Sequence, residues 1–179
     1  MQTSEAIAVG IVAERRALAS PWADHDWRPL AVLAAAPDLE PGSLVAEEPG
    51  RRQYYLGALE LRLHRKETDS YRHNLASGEP RLYVALRHGE GPGGLPVLAF
   101  QVSAAPDEGQ AWAEVGDDVV DGLPMPPAVA EWVADFVARF HVEQPRYKRQ
   151  REPAVIDRPA PPGAAPRGWP RSREPGGAG

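Results

Sequence analysis

The sequence predicts an α+β domain: a mostly antiparallel sheet, a C-terminal amphipathic helix packed on it, and a disordered tail beyond. Three patterns carry that prediction. Leu59, Leu61 and Leu63 alternate with Glu60, Arg62 and His64, the period of a strand with one face buried and one wet. From Pro126 to His141, Val129, Trp132, Val133, Phe136, Val137 and Phe140 recur at helical spacing, with Glu131, Asp135 and Arg139 on the far side. After Gln144 the chain holds eight prolines, five glycines and almost no apolar periodicity, too little burial to offset the entropy of ordering it. Residues 1–143 therefore read as one domain and residues 144–179 as a basic, Pro/Gly-rich tail.

The elements follow in order. Ala6 to Ala13 is an apolar run that ends in Glu14, Arg15 and Arg16, as a buried strand reaching the surface would. Pro21 to Pro29, P-W-A-D-H-D-W-R-P, reads as a loop. Leu30 to Ala36 is a second strand, with Pro29 tolerated only at its first position or on an edge. Pro41, Gly42, Pro49 and Gly50 make Asp38 to Arg51 a long surface connection. The alternating strand Gln53 to His64 leads into a short helix over Glu67 to Ala76, with acids in its first turn and Gly78 and Pro80 as stop signals. Leu82, Val84 and Leu86, then Leu98, Phe100 and Val102, form a hairpin around a flexible H-G-E-G-P-G-G-L-P loop. Pro106 opens another short helix that turns Trp112 and Val115 inward and ends at Gly116, and Val119 and Val120 make a last brief strand.

Composition removes several classes of function. With 179 residues, 42% hydrophobic and 25% charged, the chain is of ordinary globular make-up. It has no cysteine, which excludes disulfides, thiolate metal sites and cysteine nucleophiles. No stretch reaches the roughly 18 apolar residues of a membrane span, and the N-terminus has no secretory pattern, so a cytoplasmic location is expected. Gln144 to Gly179 carries eight basic residues against three acids, a net +5, which leaves −10 on the rest of a chain of net charge −5. The basic tail suggests attraction to the body or reach to an anionic partner, and the acidic body argues against nucleic acid as that partner. No G-x-S-x-G, H-E-x-x-H or P-loop is present, and Gly89 to Gly94 lacks the lysine and helix that a phosphate loop needs.

Two windows concentrate binding groups. The first holds Trp22, Asp24, His25, Asp26, Trp27 and Arg28; Trp and Arg are typical interface anchors, and the same tryptophans also read as plugs that fix the loop to the core. As an extended segment, Asp24-His25-Asp26 could bring at most two ligands to one metal. The second runs from His64 and Arg65 through Glu67, Tyr71 and Asn74, at a strand-to-helix junction where backbone N–H groups offer a partner or anion site.

In combination, Val12-Ala13-Glu14-Arg15-Arg16, Pro21-Trp22 through Pro29, Leu63-His64-Arg65-Lys66-Glu67-Thr68, Asn74-Leu75 and Pro124-Met125-Pro126-Pro127 resemble the bacterial domain of unknown function 3305 family over roughly Ile7 to Arg151. Members of that family are typically encoded beside formate dehydrogenase genes. The resemblance thus implies an accessory role in making or operating a molybdenum-dependent formate dehydrogenase, with a dehydrogenase subunit or maturation factor as the partner. The expectation is a non-catalytic adaptor without a cofactor, contacting its partner through both windows. The alternative is a small metal- or cofactor-handling enzyme using Asp24, His25, Asp26, His64 and Glu67.

Overall fold

The computed structural model describes residues 4–143; the tail lies outside the described residues. Seven strands and three α-helices follow one another as β1 (Ser4–Ala17), β2 (His25–Leu33), β3 (Leu44–Glu48), β4 (Arg51–His64), α1 (Thr68–Ala76), β5 (Arg81–His88), β6 (Val97–Ser103), α2 (Pro106–Val115), β7 (Val119–Pro124) and α3 (Pro127–Phe140). All pairing is antiparallel, as predicted, but the strands divide into two sheets, β2-β1-β4-β3 and β6-β5-β7. β2 runs beside β7 and β4 beside β6, so the sheets enclose one core.

The axis of the domain is β1. It pairs along its length with β4, from Ser4 opposite His64 to Arg16 opposite Arg51, and on its other side with β2, from Gly10 opposite Leu33 to Ala17 opposite His25. Neighbours on both sides and cover on both faces explain the continuous apolar reading of its middle: every residue from Val9 to Glu14 is buried. Valines and isoleucine suit that position because β-branched side chains pack well on a pleated surface.

The helix α3 is amphipathic as expected, burying Val129, Val133, Phe136 and Val137. It lies along α1, where the Phe136 and Tyr71 rings meet edge to face at 6.3 Å. Arg139, on its outer side, clamps Glu5 of β1 through two nitrogens at 2.7 and 2.9 Å. That clamp holds the Glu5 carboxyl below the ordinary carboxylate range.

Five expectations need correction. β2 begins at His25 rather than Leu30, so Asp26, Trp27, Arg28 and Pro29 are strand residues; Pro29 is accommodated because β2 is the last strand of its sheet and the register shifts there. The supposed connection Asp38–Arg51 contains β3, whose five residues are all exposed and so lack an apolar alternation. Phe100 points outward, 38% exposed, because a bulge between the pairs Ala85–Gln101 and Leu86–Ala99 leaves it without an opposite residue and reverses the pleat. It is covered instead by the Arg87 guanidinium, 3.4 Å from the ring centroid, which also forks onto Asp118. Val115 is 87% exposed as the last residue of α2. Finally, the β5–β6 loop is not loose: Gly89 N–H bonds Pro96 O at 3.0 Å and Gly91 N–H bonds Leu95 O at 2.7 Å. The loop also rests on Gly42, whose φ of +96° and missing Cβ allow the Pro92 carbonyl to approach where a side chain would stand at 2.7 Å.

Candidate functional site

The two candidate windows sit at opposite ends of β1. His25 pairs with Ala17 at one end and His64 with Ser4 at the other, and the intervening strand is on the order of 40 Å long at about 3.3 Å per residue. One compact ligand cannot touch both, so the combined set Asp24, His25, Asp26, His64 and Glu67 does not form a site. Among the described residues no three His, Asp or Glu side chains converge as metal ligands.

At the first end the tryptophans separate. Trp27 points inward from β2, 5% exposed, its ring 5.5 Å from that of Tyr54. Asp26 and Arg28, on the opposite face of the strand by its two-residue period, pair with each other at 2.9 Å, which raises the guanidinium pKa further. Trp22 is 93% exposed. Its loop is closed by the Leu18 N–H bonding Asp24 O at 3.0 Å, and the Trp22 N–H bonds Ser20 Oγ at 3.2 Å, so the exposed indole stands on an internally bonded turn. Asp24 and His25 face water beside it. Next to this loop, where β1 and β2 meet the β3–β4 turn, lies an open hollow of about 380 Å³ lined by Arg15, His25, Glu47, Glu48, Arg51 and Arg52 among others.

At the second end most of the predicted contact groups are engaged internally. Tyr71 is 1% exposed and its hydroxyl accepts the His64 N–H at 3.1 Å. Burial pushes that hydroxyl up to about 12, against the pull of the His64 N–H. Asn74 is buried with its side-chain amide hydrogen-bonded to backbone on two sides, so neither residue is on a contact surface. The Arg65 guanidinium lies 3.9 Å from the Phe140 ring centroid, and its Nε is buried without a hydrogen bond among the described residues. Glu67 is 3.8 Å from Lys66. The junction runs through a 3-10 turn at Arg65–Glu67 straight into α1, so the first N–H groups of α1 are not presented as an open terminus.

Two groupings escaped the sequence reading. One is the arginine-lined hollow, whose members come from four strands and become neighbours only through register. The other is His141, just beyond α3: Arg72 donates to its Nε2 at 2.9 Å, so the ring proton is on Nδ1, 3.3 Å from Thr68 Oγ1, which in turn donates to Arg65 O at 3.1 Å. That chain ties the end of α3 to the start of α1.

The Tyr71 environment has a measurable consequence. The unfolded chain releases the phenolic proton near pH 10 and the folded one near 12, so between them the unfolded state binds fewer protons and stability falls as pH rises, by about 1.4 kcal/mol per unit. Urea denaturation across that range is expected to show the slope, and Tyr71→Phe to remove this part of it. An unchanged slope in the variant would rule out Tyr71 as its source.

The sequence profile of a family described as "Protein of unknown function (DUF3305)" matches residues 8–151, which take in both windows. The chain belongs to this family. No curated protein and no solved structure matches the DUF3305 chain. Among the described residues of this DUF3305 protein no helix is long and apolar enough to cross a membrane.

Proposed function

We propose that this DUF3305 protein is a non-catalytic adaptor that grips a partner protein at the Trp22 end of the β1–β2–β4 sheet. The observation that carries the reading is Trp22 itself, 93% exposed on a bonded loop with Leu18 beside it at 41%. A tryptophan left in water forgoes roughly the 1.5–3 kcal/mol or more that burying a large apolar side chain contributes, and tryptophan is the residue most enriched at interface hot spots. Trp27, locked on Tyr54 behind it, gives the loop a rigid base. Of the contact residues expected at the second end, Tyr71 and Asn74 are interior and His64, Arg65 and Glu67 are partly exposed.

The setting proposed is the assembly or operation of a molybdenum-dependent formate dehydrogenase, with one of its subunits or maturation factors as the partner. The support for that setting is the resemblance alone. The test is affinity capture with the full tagged chain from a bacterium that encodes it, beside formate-dependent growth. A dehydrogenase subunit or maturation factor is expected with the native chain and is expected to disappear with Trp22→Ala, while the variant's thermal unfolding stays within about 0.5 kcal/mol of the parent, as for other exposed sites. Capture undiminished by Trp22→Ala defeats the contact surface; no such partner, with growth indifferent to the gene, defeats the adaptor. Trp27→Ala is the wrong probe, since it opens the core.

A further inference from the structure

The hollow beside Trp22 adds a chemical specificity to that surface. In its lining Arg15 and Arg52, opposite one another in the β1–β4 register, project from the same face. Arg52 is committed: Glu47 takes its Nε at 2.7 Å across the β3–β4 hairpin. Arg15 leans over the Tyr54 ring, 5.8 Å from its centroid, and neither it nor Arg51 has a carboxylate within ion-pair distance among the described residues. The Arg51 side of the hollow is fixed by Gly50 O, which accepts the Ala17 N–H at 2.8 Å and holds the hairpin turn to the end of β1. His25 faces them from the start of β2. Three arginines against Glu47 and Glu48 leave this lining at +1, on a body that carries −10. The loop that carries the exposed Trp22 leaves the lining of the hollow at Ala17 and returns to it at His25.

We infer that this hollow receives a short acidic segment of the partner protein, its carboxylates on Arg15 and Arg51 and a neighbouring apolar side chain against Trp22. The inference rests on the adaptor reading and names the partner's chemistry. Guanidinium forks suit carboxylates because both donors bond at once. A nucleic acid strand fits poorly: a lining of +1 neutralises few phosphates, and the acidic body repels a polyanion. A segment with one or two carboxylates matches the two uncommitted guanidiniums, and the strength of the contact falls as salt screens it.

The probe is a fluorescein-labelled peptide of about ten residues with two Glu beside a Leu and otherwise neutral side chains, titrated into the full chain and read by anisotropy. Binding is expected to weaken at least about tenfold in R15Q/R51Q, to weaken as ionic strength rises, and to vanish when the peptide's Glu residues are replaced by Gln. Both positions are partly or fully exposed, so the variant keeps its fold, checked by its melting curve. No binding of the acidic peptide, equal binding by R15Q/R51Q, or tighter binding of a labelled single-stranded oligonucleotide overturns the inference. Affinity capture separates it from the adaptor reading. A partner lost with Trp22→Ala but kept by R15Q/R51Q leaves the adaptor standing and removes the acidic segment. Arginine-dependent peptide binding with no partner captured does the reverse.

Discussion

Replacing Asn74 with alanine is expected to lower the unfolding free energy by about 3 kcal/mol, a drop in melting temperature on the order of 10 °C for a domain of this size. Asn74 is 4% exposed. Its Nδ2 donates to Arg81 O at 2.7 Å and Ala104 O at 2.8 Å, and its Oδ1 accepts the Arg81 N–H at 3.0 Å. One side chain thereby ties α1 to the first residue of β5 and to the segment that follows β6. Alanine would strand one buried carbonyl, that of Ala104, and two part-buried backbone groups of Arg81, each worth about 1–3 kcal/mol when unsatisfied, with water entry recovering part of the loss. Asn74→Asp should cost at least as much, because it keeps the acceptor and sets a carboxylate against two carbonyls. Urea denaturation measures both, and a loss below about 1 kcal/mol for alanine would mean the bonds are readily replaced.

Phe136→Ala is expected to cost more, about 3–5 kcal/mol. Phe136 is fully buried, with Phe140 at 4.9 Å and Tyr71 at 6.3 Å between ring centroids. Its loss removes transfer energy and leaves a cavity that the neighbouring helix cannot close, since the Arg139–Glu5 clamp and the Arg72–His141–Thr68 chain hold α3 in place. Phe136→Leu keeps most of the volume and should recover more than half of the loss. If alanine and leucine destabilise equally, packing is not what Phe136 contributes.

The sequence made the helix α3 legible because its partner surface is apolar and its own period of 3.6 is unbroken, and β4 legible because one face is wet. Where two faces or neither are buried, the pattern carries less. Every β3 position is exposed, so L-V-A-E-E shows no alternation and only its pairing with β4 makes it a strand. Phe100 was placed inward by a strict period of two that a single bulge reverses. Pro29 looked like a boundary and is instead the interior of a strand whose outer side has no ladder within its sheet. The candidate site suffered most from this limit. Residue types mark Trp22, His25, His64 and Glu67 as polar or aromatic concentrations, but their separation depends on the 14-residue length of β1 and its register on both sides. The same register brings Arg15 beside Arg51 and Arg52, too far from it along the chain to suggest the grouping.

The two neighbours of β1 also differ in when the growing chain can supply them. The ladder to β2 closes over the seven residues between Ala17 and His25, whereas the ladder to β4 opens at Arg16–Arg51 and is complete only at Ser4–His64. As the chain leaves the ribosome, a hairpin can form almost at once, but the strand that will become the middle of its sheet keeps one edge open until Arg51 has emerged, and part of it until His64 has. Loop-closure entropy rises slowly with length, so the cost of that wait is less in stability than in time. For that interval the most apolar stretch of the molecule, Ile7 to Ala13, is half of an unfinished sheet.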